Sequence, residues 1–121
     1  VAQRGVKTVF ILDDDLEQAE LIAAALEDAS LIHTRAFTDP IRALAALNEE
    51  GGDLLIADIS MPWMDGVHVV TSARVKHPEL KVILVSGVLD GAEIAHSVGL
   101  PFFAKPLDVA ALRVATRAAL L

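Results

Sequence analysis

The chain has no cysteine, a single tryptophan and four phenylalanines among its 121 residues. Without cysteine there are no disulfides and no thiolate metal sites, so a bound metal would need oxygen or imidazole donors. Positive charge is scarce as well. Ten Lys and Arg face seventeen Asp and Glu, for a formal charge of −7. That balance argues against direct, non-specific nucleic-acid binding by this domain. No apolar run approaches the ~18 residues of a membrane span, so membrane insertion is not expected. The start, Val1-Ala2-Gln3-Arg4-Gly5, lacks a signal-peptide pattern, and the missing initiator Met is expected of a piece excised from a longer chain. Internal repeats, linkers and low-complexity segments are missing too. A Gly-rich phosphate loop is absent after the first apolar run, where flavin or nucleotide binding would want one.

What is present is a chain of the right length for one compact domain, spanning 1–121 with its core over about 7–120. The apolar fraction of 54% is high. Short Val/Ile/Leu runs and Ala-rich helical stretches account for it, as expected of a parallel sheet covered on both faces. Strands are predicted at Lys7 to Leu12, Leu31 to Ala36, Asp53 to Ala57, Lys81 to Val85 and Pro101 to Ala104. Helices are predicted between and after them. The first opens on Asp15 with Gln18 three residues on, a capping-box spacing, and carries Leu16, Ala19, Ile22, Ala23 and Leu26. The second has Asp39 as N-cap, Pro40 at its first position and a stripe of Ile41, Leu44, Ala45 and Leu47. The third starts at Asp65-Gly66 and ends near Lys76, before His77-Pro78. The fourth covers Leu89 to Ser97, and the last runs from Leu107 to about Leu120. Strict alternation with short links predicts an α/β fold. It is a (βα)5, flavodoxin-like, doubly wound parallel five-stranded sheet of order 2-1-3-4-5.

In that topology Asp13, Asp14, Asp58, Ser86 and Lys105 meet at the C-terminal edge of the sheet, where open parallel sheets place their chemistry. Asp58 ends an apolar run, Leu54-Leu55-Ile56-Ala57, that buried strands use. The cluster Asp13-Asp14-Asp15 ends another, Val9-Phe10-Ile11-Leu12. Three crowded carboxylates repel, so either one protonates or a cation binds. Oxygen donors favour a hard cation, with Mg²⁺ leading. Lys105 adds a positive donor and Ser86 a hydroxyl, which together suit a tetrahedral anion beside a metal. Asp58 is then the expected nucleophile.

Four segments in this order resemble the receiver domain of two-component response regulators and of hybrid histidine kinases. They are Ile11-Leu12-Asp13-Asp14-Asp15, Asp58-Ile59-Ser60-Met61-Pro62-Trp63-Met64-Asp65-Gly66, Val85-Ser86-Gly87 and Ala104-Lys105-Pro106. Each alone is weak; the four at these spacings are specific, and the likeness spans essentially the whole chain. It implies that Asp58 accepts phosphate from a histidine kinase or a histidine phosphotransfer domain. It implies Mg²⁺ held by Asp14, Asp58 and the backbone carbonyl of Ser60, with Asp13 acting mainly through water. Ser86 and Lys105 would contact the phosphoryl group. Ser86 and Phe102 would be the switch pair, and the Lys105–Pro106 bond would be cis. The resemblance also implies a cytoplasmic signalling module with an output partner that the sequence does not identify. Such a module is a regulatory phosphoacceptor and not an enzyme acting on metabolites. Two departures stand out. Ser86 to Lys105 is about three residues shorter than in many receivers, and Phe102 has no hydroxyl.

Simpler roles compete with these. Asp15 and Asp65 read better as helix caps than as ligands. Met61, Trp63 and Met64 form either a docking spot or a loop packed on its own domain. His33, His68, His77 and His96 show no ligand spacing. A degenerate receiver that only binds partners is the main alternative, and the intact acidic, hydroxyl and lysine set argues against it. A phosphohydrolase with an Asp nucleophile usually has a second Asp two residues on, where this chain has Ser60.

Overall fold

The computed structural model describes residues 5–61, 65–88 and 90–121. Five strands and five helices alternate through it. They are β1 (Lys7–Leu12), α1 (Leu16–Leu26), β2 (Ile32–Phe37), α2 (Pro40–Glu50), β3 (Leu54–Asp58), α3 (Gly66–Lys76), β4 (Lys81–Ser86), α4 (Gly91–Ser97), β5 (Phe102–Ala104) and α5 (Val109–Leu120). The strand order is β2-β1-β3-β4-β5, and every pair is parallel.

Successive side chains of a strand point to opposite faces. Along β1 this sends Phe10 and Leu12 into one core and Val9 and Ile11 into the other. The first core is roofed by α2, α3 and α4, through residues such as Leu47, Val69 and Ala95. The second is roofed by α1 and α5, through Ile22, Leu26 and Leu112. All five residues of β3 are buried. This middle strand therefore holds both layers together, and truncating Leu55 or Ile56 to Ala would cost about 2–5 kcal/mol.

An aspartate precedes each of the five helices, and four of them make a side-chain cap; Asp90, before α4, does not. The side chains of Asp15, Asp39, Asp65 and Asp108 accept from backbone amides of the first turns of α1, α2, α3 and α5. Each such cap is worth about 1 kcal/mol. Several boundaries move relative to the sequence pattern. β3 extends to Asp58, which pairs with Val85 of β4. α5 starts at Val109, not Leu107, because Asp108 takes the cap and accepts from Ala111 at 3.1 Å. α4 starts at Gly91; its expected first residue, Leu89, lies outside the described residues, as do Trp63 and Met64.

Three expected core positions are corrected. In α2 the buried residues are Pro40, Ala43, Ala46 and Leu47, while Ile41 is 69% exposed and Ala45 is exposed. Pro40 sets the phase: i+3 and i+7 from it fall on Ala43 and Leu47, and Ile41 lies about 100° round the helix. Leu16, the first residue of α1, is also exposed; the buried positions of α1 are Ala19, Ile22 and Leu26.

Candidate functional site

Parallel pairing in this register brings the tips of β1, β3, β4 and β5 to one edge. Asp13 follows β1, and its amide donates to Phe37 O at 3.1 Å, continuing the ladder to β2. The side chain is 1% exposed. Its Oδ1 accepts from the Asp15 amide at 2.9 Å, and its Oδ2 accepts from Lys105 Nζ at 2.7 Å. Asp58, the last residue of β3, is also buried. Its Oδ1 accepts from the Ser60 amide at 3.0 Å, and its Oδ2 from Lys105 Nζ at 3.1 Å. Asp14 stands exposed at the rim. One oxygen from each of Asp13, Asp14 and Asp58 lies within 4.8 Å of the others.

Lys105 reaches the two buried carboxylates because its backbone is pinned. Its amide donates to Ser86 O at 2.9 Å. The Lys105–Pro106 peptide is cis, which is what the resemblance implies. A Lys–carboxylate pair at this distance gains about 5–6 kcal/mol at an effective dielectric of 20. Desolvating a buried carboxylate costs several kcal/mol. One ammonium divided between two carboxylates does not cover both costs. Accordingly, burial pushes the Asp58 carboxyl above its ordinary value; the Ser60 amide and Lys105 pull the other way, and Asp13 adds repulsion. Burial also opposes the charge on Lys105, but its bonds to Asp13 and Asp58 outweigh that and hold its pKa above the usual lysine value. The two shifts pull in opposite senses for the pair. The shared geometry reconciles them: the ammonium has two anionic partners, whereas each anion has half a cation.

The cluster is therefore short of positive charge. Its donors are all carboxylate oxygens, and they converge closely enough for one small ion. That donor set fits Mg²⁺, a hard cation that favours oxygen ligands. Asp13, Asp14 and Asp58 are the side chains that would hold it. Ser60 is adjacent and exposed, with its amide already committed to Asp58.

The remaining expected residues are placed less directly. Ser86 is buried at the tip of β4, but its hydroxyl accepts from the Val88 amide at 3.0 Å and caps its own loop. That hydroxyl makes no hydrogen bond to Asp58 or Lys105 among the described residues. Phe102 opens β5, half-buried against the first core. Met61 is buried in that core, so its role is packing within the domain. Asp15 and Asp65 are caps, as expected. None of the four histidines joins the acidic cluster.

Two glycines that support the site escaped the sequence reading. A Cβ on Gly66 would lie 2.1 Å from Asp58 O and 2.8 Å from Ile59 Cα. The start of α3 thus packs directly on the backbone that carries Asp58, and any side chain at 66 would displace it. The turn pattern Pro62 to Gly66 marked a helix start, and nothing in it told of this contact. Gly91 is the second, buried against Phe102.

Comparison with known proteins bears on this geometry. The model of the response regulator receiver domain family matches residues 9–117. The DNA-binding transcriptional regulator NtrC of Salmonella typhimurium is 36% identical over 110 residues, covering 88% of this chain and 23% of that protein. The chain thus spans about a quarter of the length of the NtrC relatives it matches. The response regulator receiver protein CpdR of Brucella abortus is 33% identical over 82 residues, 68% of each chain. Among solved structures, NtrX from Brucella abortus superposes with a TM-score of 0.84 at 29% identity, over 95% of this chain and 27% of that one.

Proposed function

The chain belongs to the response regulator receiver domain family of two-component signal transduction, and we propose that Asp58 is its phosphoacceptor, in a Mg²⁺-dependent reaction. The observation that carries the assignment is the buried Asp58 carboxylate at the tip of the middle strand, bonded to Lys105 and within ligand distance of Asp13 and Asp14. A carboxylate that pays for burial and lacks full neutralisation is poised for a partner that brings a cation and an electrophile.

The donor is a phosphohistidine on a histidine kinase or a histidine phosphotransfer domain. An Asp58 oxygen attacks phosphorus, the phosphorus–nitrogen bond breaks, and its electron pair returns to the imidazole. The product is an acyl phosphate. Lys105 already sits on Asp58 Oδ2, so it can follow the charge as it moves onto the phosphoryl oxygens. Bound Mg²⁺ would offset negative charge on the transferring group and bring it close to the carboxylates. Ser60 keeps Asp58 oriented through its amide. Ser86 Oγ accepts from the Val88 amide and keeps its own O–H to donate, so turning that O–H to the phosphoryl group links the group to the loop after β4. Phe102, next to that loop, then repacks; with no hydroxyl, its switching is a change of packing alone. Hydrolysis reverses the modification: water attacks phosphorus, the bond to Asp58 breaks, and inorganic phosphate leaves.

The domain runs over 1–121, and Asp13, Asp14, Asp58 and the Ser60 carbonyl are the Mg²⁺ ligands in this reading. It acts in the cytoplasm, as a regulatory element within or beside a longer protein whose output partner is read through this switch. The complete site set favours a cycling receiver over a degenerate one. The test is incubation with acetyl phosphate and Mg²⁺, then borohydride reduction and peptide mapping. Reduction of residue 58 alone is expected. Incorporation that maps elsewhere, or none at all, overturns the assignment.

A further inference from the structure

Gly91 opens α4 and is buried beneath the half-buried ring of Phe102. A Cβ built on it would lie 2.8 Å from Cζ and 2.9 Å from Cε1 of that ring, and 3.2 Å from the Cβ of Ser86. Carbon atoms in favourable contact sit about 3.5–4.0 Å apart. The ring tip therefore occupies the volume that any side chain at 91 would need. The backbone of Gly91 is not in the left-handed region, so alanine is conformationally allowed there. The obstacle is contact alone. Of the atoms involved, the ring tip is the movable one, since it swings on two side-chain torsions. Ser86 is fixed in β4, and its carbonyl is held by the Lys105 amide.

We propose that Gly91 is a positioning residue for the switch: its missing side chain leaves the volume, next to Ser86 Cβ, that the tip of the Phe102 ring needs to sit inward. This rests on the reading of Ser86 and Phe102 as the switch pair. Gly91 then makes the ring sensitive to movement at Ser86, because ring, serine and helix start share one small volume. Any side chain at 91 drives the ring outward before phosphorylation and uncouples it from the site. Gly87 provides an internal control in the same loop. A Cβ there would meet Lys105 Cβ at 3.7 Å, an ordinary contact.

The first measurement is a thermal cycle on the metal-free domain. Gly91→Ala is expected to lower Tm by about 3 °C, although alanine is the better helix former. In a Phe102→Ala background the same change should leave Tm unaltered or raise it, because the ring is gone and only the propensity gain remains. A loss of equal size in both backgrounds overturns the proposal. If Gly91→Ala fails to fold alone, refolding on adding Phe102→Ala supports the seat, and continued failure overturns it.

The second is the aromatic ¹³C signal of Phe102, assigned by its loss in Phe102→Leu. In Gly91→Ala this signal should be displaced without any ligand and should no longer move on adding beryllofluoride and Mg²⁺. Gly87→Ala should behave as the parent. A Phe102 signal in Gly91→Ala that matches the parent in both states overturns the proposal. A parent that ignores beryllofluoride counts against Asp58 as the acceptor, while the metal-free cycle still decides the role of Gly91.

Discussion

Two aspartates bracket the middle strand, Asp53 just before β3 and Asp58 at its end, and the difference between them explains the site. Asp53 is half-buried at the N-terminal edge. Its Oδ2 accepts from the Thr8 amide at 2.8 Å, its own amide donates to Thr8 O at 2.9 Å, and its carbonyl accepts from the Lys81 amide at 3.3 Å. It stitches β3 to β1 and β4. Asp58 is 4% exposed and shares Lys105 with Asp13, beside Asp14. Both carboxylates flank the same apolar stretch. What separates them is the company that other strands bring. At one edge a backbone amide suffices; at the other, three acids and one lysine converge and leave charge uncompensated.

The sharpest way to break this comparison is to neutralise each aspartate in turn. Asp58→Asn should reduce phosphorylation by acetyl phosphate by at least about 100-fold, since the amide is no nucleophile. Asp53→Asn should keep labelling within about two-fold of the parent and cost about 1 kcal/mol of stability by urea unfolding, the price of one weakened hydrogen bond. Labelling lost equally in both would show that the two ends are not functionally distinct.

Lys105→Met addresses the cation. Removing a donor aimed at developing charge typically costs 10²–10³ in rate, so phosphorylation should slow by about 100-fold with Mg²⁺ in excess. A rate unchanged in stopped-flow labelling would leave Lys105 with a merely structural role.

Asp14→Ala tests the rim. Mg²⁺ at 100 times its Kd should stabilise the parent by about 2.7 kcal/mol. The variant should lose that gain and, having less repulsion, should equal or exceed the metal-free parent. An undiminished Mg²⁺ shift in Tm would place the ion elsewhere.

Turnover of the phosphorylated state gives a smaller effect. Val88 and Ser60 line one groove beside the site, together with Met61 and Asp90. Val88 offers no hydrogen bond for a water in line with the Asp58–phosphorus bond. Val88→Glu is expected to speed decay about five-fold, the effect of roughly 1 kcal/mol of water orientation. Decay unchanged in both Val88→Glu and Ser60→Asn would show that these positions do not set the lifetime.

The smallest effect is the pH dependence of stability in EDTA. The folded pKa of Asp58 is raised above its unfolded value of 3.8. Between those two values the folded state holds the extra proton. Asp58 therefore contributes stability that is complete below 3.8 and lost as pH rises through the folded pKa. Lys105 is likewise raised, from 10.5, so its contribution is lost only as pH climbs through its own higher folded value. Asp58→Asn should remove the acid-side decline and leave the alkaline one. An acid limb identical in parent and variant would refute the burial cost at Asp58.

Much of this was legible before any coordinates. Strand and helix periodicity, the caps at Asp15, Asp39 and Asp65, and the helix stop at His77-Pro78 are local signals. Each is decided by residues within one or two turns of chain. The meeting of four strand tips and of the candidate residues they carry follows from alternation, because alternation with short links permits few topologies. Other features depend on residues far apart. Asp13 and Lys105 are 92 positions apart in sequence. That Asp13 is the buried partner of Lys105 while Asp14 stands at the rim depends on the direction in which β1 delivers its tip. The same holds for Ser86 turned toward Val88, for the outward phase of Ile41, and for the bare backbone at Gly66 and Gly91. Local pattern determined which elements form and which residues lie at their ends, because backbone propensity and hydrophobic period act over a few residues. Packing alone decided which of those end residues touch, because steric exclusion and desolvation act only between groups that the completed sheet has brought together.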